Sequence, residues 1–562
     1  DTALDIRGEG LVSRTSNATT LDTKQLSPNS YVMVKASSKA TVKYEYTDGA
    51  NNHFDIVAGI FGNTGLELKP STGKIRLTKT TSDEDVNKLV GEKKTNYYNT
   101  QNTVFTLTNK DTGESFDITV DDKGVAESGE LPFGTYSVKE KTPGKGLKVK
   151  DNIPDITLSD KNAQADGTYR VDVKIADDVN RPPVKADKSG EESGKKMWNS
   201  NYSLEGTTFK LTHKDTGKVY TIVTDKDGHG EVPDALLGQY DVEETKAGKG
   251  FTIGFKKTTL THEEGKPLAI DAKNIEITGK VKIVKTGAET GTKMWNSNYS
   301  LAGNEFKLVN TESGKEYKVT TNEKGEAQVD HMQLGTYKVT EIKSSNGFAN
   351  TFKEVETTLK VDENGKGTLE VEAKGTNQEI TGSNTLVKAD VKNGEKATGK
   401  GSLVGAEYTL FHADGTPVTW SETAKAKLTG GEKVAKSVIN GKEVDNGDNV
   451  VIKVTDASKL NVGVERLALG TYYWKETNAP EGYIIDGAQH SFTVAKKDDQ
   501  TTTVKADDTK SVETPIVARL NMQKLLEGNG TNPTALSGGN DIAFTVKPLK
   551  GTNAEEKHFT TG

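Results

Sequence analysis

One nine-residue phrase occurs twice in this chain, 97 residues apart. Lys196-Met197-Trp198-Asn199-Ser200-Asn201-Tyr202-Ser203-Leu204 returns unchanged as Lys293-Met294-Trp295-Asn296-Ser297-Asn298-Tyr299-Ser300-Leu301. A strand-like run follows each copy, Thr208-Phe209-Lys210-Leu211 and Glu305-Phe306-Lys307-Leu308. A looser copy, Thr95-Asn96-Tyr97-Tyr98-Asn99-Thr100, precedes Val104-Phe105-Thr106-Leu107. A period of this length marks an array of whole domains, not a solenoid of short repeats. Two further marks recur. The pattern Gly-x-Tyr-x-(Val/Trp)-x-Glu runs from Gly134 to Glu140, Gly238 to Glu244, Gly335 to Glu341 and Gly470 to Glu476. A short apolar run ending in lysine appears at Ile75 to Lys79, Val184 to Lys188, Val281 to Lys285 and Leu386 to Lys388, and opens once more at Leu520 to Lys524.

These marks divide the chain into four Ig-like units, 73–181, 182–277, 278–382 and 383–516. Residues 1–72 read as a separate or truncated β domain, and 517–562 as the start of a fifth repeat. The Lys-to-Glu separation is 61, 56, 56 and 88 residues in turn, so the fourth unit carries about 30 extra residues, placed within 412–465. Short joints such as Arg181-Pro182-Pro183 favour an elongated, stiff row. The abrupt start and stop read as an excised part of something longer.

Thr, Val and Tyr alternate with polar residues between Asp-Gly, Asn-Gly and Lys-Gly turns, which predicts an all-β chain of tandem sandwiches with little helix. No cysteine is present among the 562 residues. Disulfides cannot staple these small domains, and thiol or zinc chemistry fits poorly. A net charge of -7, from 74 basic and 81 acidic side chains, gives no basic field for nucleic acid and no polybasic membrane patch. The histidines lack metal spacing, and no cofactor is expected. Asp225-Lys226-Asp227-Gly228 reads as a hairpin turn, like Asp121 to Gly124 and Asn322 to Gly325 in sister units, because a calcium site needs six to eight oxygens. The phrase around Trp198 and Trp295 reads as a crossover covering a sandwich edge.

Strand side chains alternate faces, so parity tells which residues share the core. Val281, Ile283 and Lys285 share a face, as do Ile75, Leu77 and Lys79. Tyr337, Val339 and Glu341 do likewise, and so do Tyr472, Trp474 and Glu476. Lysine and glutamate are rarely buried unless paired. Late in each unit, Leu268, Ile270, Ala272 and Asn274 keep parity, as do Leu369, Val371, Ala373 and Asn377. Asn274 and Asn377 each stand 11 residues before the next unit's lysine. A buried amine loses its charge and a buried carboxylic acid keeps its proton. A neutral lysine held against a carboxamide, with an acid to move protons, can displace ammonia and form an amide. An ordinary buried salt bridge is the competing reading.

The run Gly470-Thr471-Tyr472-Tyr473-Trp474-Lys475-Glu476-Thr477-Asn478-Ala479-Pro480-Glu481-Gly482-Tyr483 closely resembles the signature of Cna-B/SpaA-type domains, which build Gram-positive pili and adhesin stalks. The resemblance covers residues 73 to 516. It implies that Lys79, Lys188, Lys285 and Lys388 are nucleophiles, that Glu140, Glu244, Glu341 and Glu476 are isopeptide-promoting acids, and that Asn274 and Asn377 are acceptors. In the first unit Asn180 is taken as the acceptor by position, although Asp177, not Asn180, keeps parity with Val171, Val173 and Ile175. In the fourth, Asp508 is chosen for its parity with Val504 and Ala506, although Glu513 is the residue 11 before Lys524. The expected bonds are therefore Lys79–Asn180, Lys188–Asn274, Lys285–Asn377 and Lys388–Asp508.

The expected function is an extracellular, cell-wall-anchored adhesin or ancillary pilin stalk, without turnover chemistry. Its partners would be a host matrix or cell-surface ligand, with sortase and peptidoglycan engaged through regions outside this chain. The 412–465 insertion and residues 1–72 are the candidate ligand-binding regions. A spacer in a secreted enzyme is the third alternative. No Lys near a Tyr-Pro-Lys-like sequence marks a polymerised shaft subunit.

Overall fold

The computed structural model describes residues 72–522 except 363 and 423, with 543–548, 550 and 555–560; short strands within 2–60 and 525–535 are described by backbone alone. The expected N-terminal domain and fifth repeat, Lys524 included, lie largely outside the described residues. The chain forms two compact units, 1–276 and 277–562. Among the described residues each holds two sandwiches, and their strands follow one plan.

In the first sandwich a lysine strand, Thr72–Thr81, pairs in parallel with a closing strand, Arg170–Asp177. The facing sheet pairs Val104–Asn109 antiparallel with a glutamate strand, Gly134–Thr142. The second sandwich repeats this with lysine strand Val184–Gly190, closing strand Ala269–Glu276, and Thr208–His213 against glutamate strand Gly238–Lys246. The third uses Thr278–Gly287, Glu370–Glu379, Glu305–Asn310 and Gly335–Lys343. The fourth uses Thr381–Asp390, Thr509–Pro515, Glu407–His412 and Gly470–Asn478. A parallel pair needs a long crossover. Here the first and last strands of a domain pair, and everything between them is that crossover.

Strict alternation sets the core. Thr72–Thr81 buries every second residue, so Ile75 and Leu77 pack on Phe105, Leu107, Tyr136 and Val138 from the facing sheet. Burying each such side chain is worth roughly 1.5–3 kcal/mol. The recurrent Gly-x-Tyr also has a packing cause. The buried hydroxyls of Tyr136, Tyr337 and Tyr472 donate to the carbonyls of Pro132, Gln333 and Ala468, at 2.8, 2.6 and 2.8 Å. At Gly238, φ is 150°, and an added Cβ would lie 2.3 Å from His213 Nε2.

The nonapeptide does more than cover an edge. Trp295 packs edge-on against Tyr299, whose hydroxyl donates to Ile380 O at 2.6 Å and accepts from Leu469 N–H at 2.9 Å. Asn296 and Asn298 both donate to Leu469 O at 3.0 Å. The third domain is thus bolted to the fourth. In the other unit Tyr98 does the same between the first and second domains, donating to Asn180 O and accepting from Leu237 N–H at 2.7 Å.

The 412–465 stretch is less a loop than extra sheet. Lys427–Gly430 joins the sheet of the lysine strand, and Glu432–Lys433 pairs with Val451–Lys453 in the facing one. Lys436–Ile439 and Lys442–Asp445 form a separate hairpin. The one α-helix among the described residues, Glu84–Gly91, is capped by Asp83, whose carboxylate accepts from Val86 N–H at 3.0 Å.

Candidate reactive sites in the sandwich cores

Each sandwich brings a lysine from one sheet against a glutamate from the other. Lys79, Lys188, Lys285 and Lys388 are all at most 3% exposed, and Glu140, Glu244, Glu341 and Glu476 are all buried. The residue facing the position two past each lysine on the parallel strand is fixed by register: Asp177 faces Thr81, Asn274 faces Gly190, Asn377 faces Gly287 and Glu513 faces Asp390. A side chain there lies on the lysine's face of the sheet. On the other sheet, Phe105, Phe209, Phe306 and Tyr408 sit opposite the four glutamates.

In the second domain Asn274 Nδ2 donates to Glu244 Oε1 at 2.5 Å, while its Oδ1 accepts from Gly254 N–H at 2.8 Å. Lys188 Nζ lies 3.5 Å from Glu244 Oε2 and has no hydrogen-bond partner. In the third, Asn377 Nδ2 donates to both oxygens of Glu341, at 2.9 and 2.8 Å, and its Oδ1 accepts from Thr351 N–H at 3.0 Å. In the first, Lys79 Nζ contacts Asp177 Oδ1 and lies 3.0 Å from Glu140 Oε1. In the fourth, Lys388 Nζ donates to Glu513 Oε1, to Glu476 Oε1 at 2.6 Å and to the Tyr408 hydroxyl at 2.9 Å.

Two expected pairings are corrected. Asn180 lies beyond the closing strand, and its side chain donates to Glu264 of the second domain at 2.8 Å; Asp177 holds the place beside Lys79. Asp508 is on the surface, 3.2 Å from Lys505, and Glu513 takes its expected place. The cause is a one-residue shift. Thr381 pairs with Thr503, but Leu386 pairs with Thr509, so parity counted from Val504 and Ala506 fails beyond the break.

Burial pulls the Lys188, Lys285 and Lys388 amines down to about 8, against the opposing pull of Glu244, Glu341 and Glu476. Burial raises Glu341 and Glu476 above the usual carboxyl range, and lifts Asp177 to about 7 against the lowering effect of Lys79. A partly neutral amine, a protonated acid and a fixed carbonyl are what amine-to-amide transfer needs. The Gly254 and Thr351 N–H groups point at the oxygen on which negative charge would grow. Among the described residues no cluster of His, Cys, Asp and Glu could hold a metal.

The sequence profile of the SpaA prealbumin-like fold domain matches residues 192–276, 279–376 and 385–510, more than half of the chain. The chain belongs to the SpaA family. That makes it a pilin-type, extracellular surface protein built of tandem β domains. No curated protein sequence matches it significantly. The SpaA array is similar in structure to the Bacillus anthracis TIE protein, at 16% identity over 79% of this chain and 74% of that one, with a TM-score of 0.41. It is also similar to a streptococcal ancillary pilin, at 19% identity over 59% and 99% with a TM-score of 0.22. A third is BcpA, the major pilin subunit of Bacillus cereus, at 18% identity over 60% and 100% with a TM-score of 0.23. The sequence reading of these SpaA sites missed Tyr408, Ser511 and Asp486, which surround Lys388 and Glu476.

Proposed function

We propose that this chain is a length of Gram-positive surface stalk, an adhesin or ancillary pilin held on the cell wall, whose domains rivet themselves with Lys–Asn or Lys–Asp amides. Lys188 carries the reading. An ammonium with no hydrogen-bond partner in a dry core is costly, whereas an amide nitrogen bonded to Asn274 is neutral. In this mechanism Lys188 Nζ attacks Asn274 Cγ while the Gly254 N–H holds the developing oxyanion. Glu244 takes a proton from the attacking nitrogen and gives it to the departing amide nitrogen, the C–N bond breaks, and ammonia leaves. Lys285, Glu341 and Asn377 repeat the scheme; Lys79 and Asp177 release water instead. A row riveted in this way resists pulling and proteolysis without a single cysteine, as a stalk presenting an adhesive region must.

Intact mass tests the proposal. Each Lys–Asn bond should remove about 17 Da and each Lys–Asp bond about 18 Da. A mass equal to that of the plain sequence would overturn it.

A further inference from the structure

The fourth site is built differently from the other three. Its acceptor position holds Glu513, one methylene longer than asparagine or aspartate, and Tyr408 stands where the others carry phenylalanine. Glu513 Oε1 accepts from Lys388, while Glu513 Oε2 is buried without a hydrogen-bond partner. Apart from a longer 3.4 Å contact from the Tyr408 hydroxyl back to Glu513 Oε1, the hydrogen bonds leading away from the amine point one way. Lys388 Nζ donates to Tyr408 at 2.9 Å, Tyr408 donates to Ser511 at 2.8 Å, and Ser511 donates to Asp486 at 2.8 Å. Asp486 Oδ2 then lies 2.7 Å from His490 Nε2, nearer the surface. Glu476 Oε2 accepts from Asp486 N–H at 2.5 Å, which fixes the acid beside the pair.

We propose that the fourth domain closes a γ-glutamyl amide between Lys388 Nζ and Glu513 Cδ, with Tyr408, Ser511 and Asp486 relaying the amine's first proton outward. This rests on the isopeptide reading of the other domains. The ammonium passes one proton through Tyr408 and Ser511 to the Asp486 carboxylate, which hands it on to solvent, because, against the opposing pull of burial, hydrogen bonds from Ala488 N–H, Ser511 and His490 hold that carboxyl below its usual range. The neutral amine attacks Glu513 Cδ while Glu476, whose burial favours the protonated form against the pull of Lys388, gives a proton to the Glu513 oxygen. Glu476 takes back the second amine proton and delivers it to the same oxygen. The C–O bond breaks, water leaves, and the N–C bond remains; nothing is oxidised or reduced. The unpartnered Oε2 becomes an amide oxygen, which is cheaper to bury than a carboxylate.

Protease digestion of the full 562-residue chain with fragment mass spectrometry tests this. The expected product joins the peptides of Lys388 and Glu513 and is about 18 Da lighter than their sum. Glu513→Gln should give the same junction with a loss of about 17 Da, because ammonia leaves instead. Tyr408→Phe, the residue of the sister domains, should slow bond formation several-fold relative to the wild type at neutral pH, and the gap between the two should close at high pH, where the amine needs no relay. An unchanged rate would remove Tyr408 from the path. Linear Lys388 and Glu513 peptides, beside linked Lys188–Asn274 and Lys285–Asn377, would overturn the fourth bond alone. Linear peptides throughout would overturn the stalk chemistry as well.

Discussion

In the third domain the residue two past the lysine is Gly287, and the residue two past the acceptor is Glu379. In the fourth these places hold Asp390 and Pro515. Glu379 ties down the loop after the lysine strand, accepting from the N–H groups of Glu289 and Thr290 at 3.0 and 2.8 Å and from the Thr290 hydroxyl. Asp390 does the same work from the opposite strand, accepting from Lys392, Asn393 and Thr398 N–H and from the Tyr483 hydroxyl at 2.6 Å. The two solutions exclude each other, since a Cβ on Gly287 would lie 2.2 Å from Glu379 Oε1. The register of the parallel pair is constant, and each chemical part can move from one strand to the other around it. The residue at the proposed acceptor position varies under the same constraint: asparagine in one core, glutamate in the other. The buried lysine and its glutamate do not vary.

The comparison is broken hardest by removing a lysine. Lys285→Ala would delete the proposed link that closes the Lys285–Asn377 loop and would strand Glu341 in the core. Treated like a disulfide closing a loop of about 100 residues, the link is worth roughly 4–5 kcal/mol. The third domain's melting transition should fall by about 15 °C or more in scanning calorimetry. A fall below about 5 °C would mean that no covalent link was lost. The transition of the first domain should not move.

Asn377→Ala tests the same core with its amine left free. Burial brings the Lys285 amine from 10.5 down to about 8 in the folded chain. Between those values the unfolded chain holds a proton that the folded chain has released, so stability rises with pH through that window, by up to about 3 kcal/mol. A wild-type core closed by the proposed amide would have nothing to titrate there. Urea midpoints at pH 7.5, 9 and 10.5 should climb for the variant and stay level for the wild type; parallel curves would contradict a riveted third domain.

Much of this was legible in the sequence. Period-two parity placed Lys79, Lys285, Glu341 and Glu476 in cores, because strict alternation holds along unbroken strands. It also favoured Asp177, which positional analogy set aside for Asn180. It failed at Asp508 because the closing edge of the fourth domain is two strands, Thr503–Lys505 and Thr509–Pro515, with a slip between them. A different signal survives that slip. The spacing of 11 residues to the next lysine, seen at Asn274 and Asn377, also picks out Asp177 before Lys188 and Glu513 before Lys524. It counts the whole turn from closing strand to next lysine and does not depend on parity. Tyr408, Ser511 and Asp486 left no such trace, because their relay comes from three separate strands and loops that meet only when the sandwich closes. The seating of Tyr299 on Leu469 was likewise hidden, since a repeat marks a shared structure without naming its neighbour.

The smallest expected change converts the third acceptor to that of the first domain. Asn377→Asp preserves length and register, so the fold and the bond should both survive, with the mass deficit growing by about 1 Da as water replaces ammonia. Stability should shift by less than about 1 kcal/mol once the bond has formed, because the product amide is the same. The rate is where the two acceptors part. Asn377 is neutral at every pH and donates to Glu341, but an aspartate there must be protonated to be attacked. Asp177 shows what such a core does to that carboxyl, lifting it to about 7 by burial. Linking in the variant should therefore slow as pH rises past about 7, while the wild-type site gains as the Lys285 amine loses its proton near 8. Opposite slopes in a refolding time course read by mass would separate the two acceptors; equal slopes would show that acceptor protonation does not limit the reaction.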